Sequence, residues 1–158
     1  MLLWFLGTGL ISVWFVFSDQ RFDYRLLFVG VVLPDLIDVP FGDARWAHSL
    51  TVTVGALVLV MLITAGRKPI RRLLLGLPIG MLLHLVWDGS FSATKVFWWP
   101  FSGSWGHTRV PSLERGWLNA VLELVGAAIA VWAYRRFQLA DPERRREFIR
   151  SGVLRERA

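Results

Sequence analysis

Residues 72–87 read RLLLGLPIGMLLHLVW, an apolar stretch that carries one His near its end and is followed by Asp88. It begins in a basic turn at 67–72. A helix needs about 20 predominantly apolar residues to cross a bilayer, and this stretch approaches that length. The shorter stretch at 26–34 does not. Comparable apolar stretches lie at 2–17, 49–65 and 117–134. The pattern predicts an all-α integral membrane bundle of four to five helices.

The composition supports a membrane protein. Of the 158 residues, 54% are hydrophobic and 19% are charged, and the mean hydropathy is +0.48, whereas soluble domains average roughly 45–50% apolar and about 25% charged residues. The absence of cysteine excludes a thiolate metal site and a Cys nucleophile. The net charge of +6 is concentrated in the segment 135–158, where eight Arg stand against four acids. We therefore divide the chain into a membrane-embedded domain, 1–134, and a basic cytoplasmic tail, 135–158.

The basic residues also orient the chain, because cytoplasmic loops of membrane proteins carry an excess of Lys and Arg. We expect the 67–72 turn and the tail on the cytoplasmic side. Residues 72–87 then run outward, residues 117–134 run back inward, and 49–65 begins on the outer side near His48. The sequence of the tail predicts a helix that is capped by Asp141, and we expect this helix to lie near anionic lipids. No nucleic-acid-binding motif accompanies its charge, and we expect no specific nucleic-acid partner.

Ionisable residues at the ends of membrane segments are candidates for a functional site, because placing charge there is costly. They fall in three motifs, LPDLID at 33–38, RWAHS at 45–49 and HLVWD at 84–88, which the predicted topology brings to one membrane face. Nitrogen and oxygen ligands suit Zn²⁺, Mn²⁺ or Fe²⁺, as one or two ions. The alternative is a set of helix caps and hydrogen-bonded core residues. The candidate metal ligands are Asp35, Asp38, His48, His84 and Asp88.

The same motifs, followed by FWWPF at 97–101, resemble a family of bacterial proteins, the LexA-binding, inner-membrane-associated metal-dependent hydrolases. The resemblance covers roughly residues 30–101 and implies the same five ligands. It also implies a multi-pass protein of the bacterial inner (cytoplasmic) membrane. Members commonly carry a His near the N-terminus, and residues 2–17 contain none, so the number of metal ions is left open.

A metal-activated water is the expected nucleophile, because no Gly-x-Ser-x-Gly motif is present. The predicted function is hydrolysis of a phosphate ester on a lipid or lipid-linked substrate at the extracytoplasmic face, with Zn²⁺ favoured as cofactor. Asp38 and His107 are the candidate catalytic residues, and Arg45, Lys95 and Arg109 are the candidate phosphate-binding cations. The alternative is a non-catalytic membrane protein whose polar cluster binds a structural metal or an ion. Membrane lipids are expected partners, and oligomerisation is left open.

Overall fold

The computed structural model describes residues 1–17, 22–103 and 115–155. Within these ranges the regular secondary structure is helical and contains no β-strand, which confirms the predicted all-α class. Three short 3-10 helices occupy Val39–Phe41, Trp46–His48 and Ser90–Ser92. The described α-helices number seven rather than four to five, because a short helix in the loop after 88 and the tail helix add to the five apolar ones. They are α1 (Leu2–Phe17), α2 (Tyr24–Asp38), α3 (Leu50–Ile63), α4 (Lys68–Trp87), α5 (Thr94–Phe97), α6 (Leu118–Arg136) and α7 (Pro142–Ser151).

Helices α2 and α4 form the closest pair, and they touch through their backbones. A Cβ atom on Gly80 would lie 2.5 Å from the carbonyl oxygen of Leu27, and one on Gly30 would collide with the carbonyl oxygen of Leu77. Glycines of this kind let two apolar helices approach more closely than side chains permit. The 26–34 stretch is thus the middle of a 15-residue helix that continues through Pro34 to Asp38.

Helix α4 begins at Lys68 rather than at residue 72, so most of the predicted 67–72 turn is its first turn. Pro69 lies in that turn, where the missing N–H is not needed for an intrahelical hydrogen bond. The chain reverses just before it, at Gly66, whose φ is 76°. The correction lengthens α4 to 20 residues.

A second pair is formed by α1 and α6. A Cβ atom on Gly126 would collide with the backbone of Leu3 and Trp4. Glu123 of α6 accepts hydrogen bonds from the Leu3 N–H at 2.8 Å and the Trp4 N–H at 3.2 Å. Because these N–H groups open α1 and have no partner within the helix, the Glu123 carboxylate serves as its N-terminal cap.

The bundle has two ends of opposite charge. At the acidic end, α2 and α4 finish and α1 and α6 begin; the ring centroids of Phe5 and His84 lie 4.1 Å apart there. The carboxylates of this end are Asp35, Asp38, Asp43, Asp88 and Glu123, its described Lys and Arg residues are Arg45, Lys95 and Arg115, and the N-terminal ammonium lies 3.6 Å from Glu123. At the basic end, α2 and α4 begin and α3 and α6 finish. Its described cations are Arg25, Arg67, Lys68, Arg71, Arg72, Arg135, Arg136, Arg144, Arg145, Arg146, Arg150 and Arg155, and its described acids are Asp23, Asp141, Glu143 and Glu147.

The described part of the tail, 135–155, packs onto the basic end rather than extending from it. As predicted, Asp141 caps α7, accepting a hydrogen bond from the Glu143 N–H at 2.8 Å. The Arg25 guanidinium donates to the Arg150 carbonyl oxygen at 2.9 Å. Leu154 is buried in the same apolar cluster as Phe137. The segment 135–155 therefore contributes to the core of the domain that precedes it.

Two helices, α4 with 20 residues and α6 with 19, are long and apolar enough to cross a membrane. Helices α1 and α3 are apolar but shorter, at 16 and 14 residues. Large apolar side chains face outward on several helices, among them Leu62 at 69% exposed and Leu124 at 70%. The predicted membrane segments are thus all helical, and two of the four reach spanning length.

Candidate metal centre

Three helix termini bring one carboxylate and two imidazoles together at the acidic end. Asp35 comes from the last turn of α2, His48 ends the 3-10 helix Trp46–His48 two residues before α3, and His84 lies in the last turn of α4. One donor atom from each lies within 4.8 Å of the other two. The Asp35 Oδ1 atom is 3.4 Å from His48 Nε2 and 3.6 Å from His84 Nε2. The predicted convergence of these three residues is confirmed.

Asp38 and the start of α3 hold His48 in place. Ser49, the residue after His48, has an extended backbone and caps α3, its Oγ accepting a hydrogen bond from the Val52 N–H at 3.2 Å. The Nδ1 atom of His48 lies 2.8 Å from Asp38 Oδ2, which also accepts from the Arg45 N–H at 2.7 Å. The Asp38 carboxylate can only accept, so His48 Nδ1 carries the proton and Nε2 presents its lone pair to Asp35 when the ring is neutral.

His84 is oriented by the neighbouring helix. Its Nδ1 atom lies 2.7 Å from the carbonyl oxygen of Val31, an atom that can only accept. The close approach of α2 and α4 at Gly30 and Gly80 permits this hydrogen bond. The buried ring of Phe5 packs against the imidazole from α1. His84 Nε2 therefore also points its lone pair toward Asp35.

The three donors fit a metal ion. Both Nε2 atoms are buried, and neither makes a hydrogen bond to a residue within the described part of the chain. Donors about 2.0–2.1 Å from a tetrahedral Zn²⁺ lie about 3.4 Å apart, close to the separations of 3.4 and 3.6 Å between Asp35 and the two His. Both His bind a backbone or carboxylate oxygen through Nδ1, as metal-ligating His residues almost always do. This group of Asp35, His48 and His84 is a candidate metal centre and is called the metal centre below.

The charges of the centre are strongly coupled. Burial lowers the pKa of His48, but interaction with the Asp35 and Asp38 carboxylates outweighs it and raises that pKa to about 9. Burial raises the pKa of Asp35, yet the neighbouring His48 and His84 hold it below its usual value. Without a metal, a proton on His48 thus neutralises part of the carboxylate charge. A divalent cation at the same place would replace that proton.

Asp88 lies next to the centre but outside the three-residue group. It is fully buried, and its Oδ2 accepts a hydrogen bond from Ser90 Oγ at 3.1 Å. Its Oδ1 atom, which has no hydrogen bond in the described ranges, is 3.6 Å from the Arg115 guanidinium. Burial raises the pKa of Asp88 to about 6 against the opposing charges of His48 and Arg115. The structure thus places beside the metal centre a buried carboxyl with one oxygen that is ion-paired with Arg115 but not hydrogen-bonded within the described ranges.

The other residues predicted to belong to the site lie outside the group of three converging side chains or outside the described part of the chain. Asp38 lies behind His48 and outside the converging group, where it orients the ring. Arg45 directs its guanidinium over the Phe41 ring, 4.2 Å from the centroid. Lys95 is exposed on α5. His107 and Arg109 lie outside the described residues, so their roles stay predictions.

Three contributions to this site were missed in the sequence. The Val31 carbonyl is a backbone atom and leaves no signal in the residue pattern. Phe5 lies in a uniformly apolar helix, where no feature distinguishes it. Arg115 had a usable signal, because it is a cation just before a membrane segment on the predicted outer side.

Comparison of the chain with protein-family models, with curated proteins and with solved structures found no match. The fold and the site define a class only: a protein whose described residues form helices, two of them of membrane-spanning length, and an Asp/His/His group that could hold a metal ion.

Proposed function

We propose that this protein is a multi-pass membrane hydrolase that uses a divalent metal to cleave a phosphate ester on a lipid or lipid-linked substrate. The observation that carries the proposal is the convergence of two buried Nε2 atoms on one Asp35 oxygen, at 3.4 and 3.6 Å, with neither atom in hydrogen-bond geometry. A purely structural polar cluster would satisfy such atoms, since buried polar groups without partners are costly.

The donor set favours Zn²⁺, with Mn²⁺ or Fe²⁺ as alternatives. Two imidazoles and one carboxylate are a common ligand set for catalytic zinc, in which a fourth position is left to water or substrate. Such an ion polarises a phosphoryl oxygen and lowers the pKa of its bound water toward about 7. Three protein donors are enough to hold one ion. Asp88 is the residue that would supply a ligand to a second ion.

The remaining residues would bind and orient the substrate. Asp38 keeps His48 in the tautomer that a ligand needs. Arg115, 22% exposed and in contact with Asp88, would hold an anionic ester oxygen, with Arg45 and Lys95 as further cations of the same end. Arginine suits phosphate because its planar fork donates two parallel hydrogen bonds.

The charge asymmetry of the bundle supports the proposed location. The cations concentrate at the basic end, and the metal centre lies at the opposite, acidic end. Under the positive-inside rule, the basic end and the C-terminus face the cytoplasm. The metal centre then opens at the extracytoplasmic face, at the depth of lipid headgroups. A place in the bacterial inner membrane, and membership of the LexA-binding hydrolase family that the motifs resemble, are part of this proposal.

Metal content and phosphatase activity of the same preparation test the proposal. The chain in detergent, its His84→Ala variant and the control Asp141→Asn are analysed for bound metal after reconstitution with Zn²⁺ or Mn²⁺. Phosphate release from phosphatidic acid is then measured, with circular dichroism to verify the fold. We expect about one ion per chain and phosphate release in the wild type and control, with both lost in His84→Ala.

Two results would overturn the proposal. Absence of tightly bound metal in the wild type after reconstitution would remove the metal centre. Bound metal without phosphate release from phosphatidic acid, together with unfolding on chelation, would assign the ion a structural role, because metal binding and folding are then coupled.

A further inference from the structure

A groove of about 490 Å³ opens at the basic end, far from the metal centre, between the first turn of α4 and the end of α7. One wall is rigid because the Arg25 guanidinium and the Tyr24 N–H both bind backbone carbonyls at the end of α7. The lining residues are Asp23, Lys68, Pro69, Arg72, Leu73 and Ser151.

The groove carries positive charge that the protein does not neutralise. Lys68 and Arg72 are four residues apart on α4 and therefore share one helix face, where like charges repel. Both side chains are exposed, and within the described ranges neither forms an ion pair with a carboxylate. Asp23, the acid in the groove, is bound to Arg25, with Nη2 and Oδ2 2.6 Å apart. An anion bound between Lys68 and Arg72 would neutralise both side chains.

The surroundings of these two cations are apolar. Pro69 and Leu73 line the groove. Ile70 follows Pro69 in the sequence and Ile149 lies two residues before Ser151, and their side chains are 47% and 64% exposed. A free phosphate ion cannot make favourable contacts with these apolar side chains. A phospholipid can, because its anionic phosphate is joined to a glycerol ester and acyl chains that can cover apolar side chains.

We propose that this groove binds the phosphate of an anionic phospholipid headgroup, with Lys68 and Arg72 as its cationic ligands. Each basic residue at a membrane surface strengthens attraction to anionic lipid, and the docked α7 turns a diffuse positive end into a site of defined shape. The site is independent of the proposed hydrolysis, since it lies at the opposite end of the bundle.

Native mass spectrometry of the full chain, released from detergent micelles with short-chain phosphatidylglycerol, counts bound lipids directly. Phosphatidylcholine provides the neutral comparison, and glycerol 3-phosphate provides a soluble phosphate. The variant is Lys68→Gln/Arg72→Gln, and the control is Arg144→Gln/Arg145→Gln, which removes the same charge from α7 outside the groove. Both pairs retain residues that favour helices, and circular dichroism verifies the fold.

We expect one tightly retained phosphatidylglycerol per wild-type chain, no phosphatidylcholine, and at least a tenfold loss of retention in Lys68→Gln/Arg72→Gln. The control should stay within twofold of the wild type, and the single Arg72→Gln change should be intermediate. Equal losses in the two double variants would show diffuse attraction and overturn the site. Retention of glycerol 3-phosphate as tight as that of the lipid would overturn the lipid assignment.

Discussion

The substitution Asp38→Asn tests whether Asp38 orients His48 for metal binding. Asp38 does not belong to the converging group, yet its Oδ2 atom lies 2.8 Å from His48 Nδ1 and also accepts from the Arg45 N–H. The carboxylate is completely buried. Asparagine keeps the size and one acceptor oxygen but removes the charge that orients His48 and raises its pKa.

The size of the effect depends on pH. Because the pKa of His48 is about 9, a metal ion binding at pH 7 must displace a proton, which weakens its apparent affinity about 100-fold. Below pH 9 the wild-type affinity should rise about tenfold per pH unit. Loss of an outer-shell partner of this kind costs about 10–100-fold in affinity. The Asp38→Asn change also lowers the pKa of His48, so we expect the deficit to shrink near neutral pH and to grow as pH rises.

Competition against a chromogenic Zn²⁺ chelator, from pH 6.5 to 8.5 on the full chain in detergent, measures both effects. Asp141→Asn is the matched control, because it makes the same chemical change on an exposed helix cap at the other end of the bundle. A wild-type affinity that does not change with pH would refute the assignment of a proton to His48. An Asp38→Asn curve that coincides with the wild type would refute the orienting role of Asp38.

Three further changes test the packing. Gly80→Ala places a methyl group 2.5 Å from a backbone oxygen of α2, and we expect a loss of about 1–3 kcal/mol in thermal unfolding. Its control, Gly55→Ala, with nothing within 4 Å of its Cβ, should be neutral or stabilising by up to about 1 kcal/mol. Arg25→Ala removes the guanidinium that holds α7, so trypsin should cleave α7 several-fold faster; an unchanged rate would show that α7 is held by other contacts. Glu123→Ala uncaps α1 and should lower stability by about 1 kcal/mol, visible as a lower melting temperature than that of Glu143→Ala.

The residues of the metal centre were predictable because each lies at a helix end that loop charges place on one side. Helical spacing groups His84 with Asp88, and the basic residues near 67–72 orient the neighbouring segments. This reasoning treats side chains on one face as equivalent. It could not separate Asp35, which faces both imidazoles, from Asp38, which lies behind one of them. That difference arises from the 3-10 helix Val39–Phe41 and the turn to His48, whose geometry no periodic pattern encodes.

The tail was harder to predict for a different reason. Its composition is dominated by arginine, and the pattern correctly indicated a capped helix. The docking depends on few residues, chiefly Phe137 and Leu154 in the core and Arg25 on the partner helix. A small number of apolar residues in a strongly charged segment does not stand out in a sequence, although their burial decides where the segment lies.

The backbone contact between α2 and α4 determines how the metal centre can vary. Asp35 and His84 are carried by two helices that meet at Gly30 and Gly80, so their separation does not depend on the size of any interfacial side chain. In the proposed membrane setting, outward-facing residues such as Leu36, Leu82 and Val86 could then be exchanged to suit a thicker or thinner bilayer without moving the donors. Selection for membrane fit and selection for metal affinity would thus act on separate positions of the same two helices.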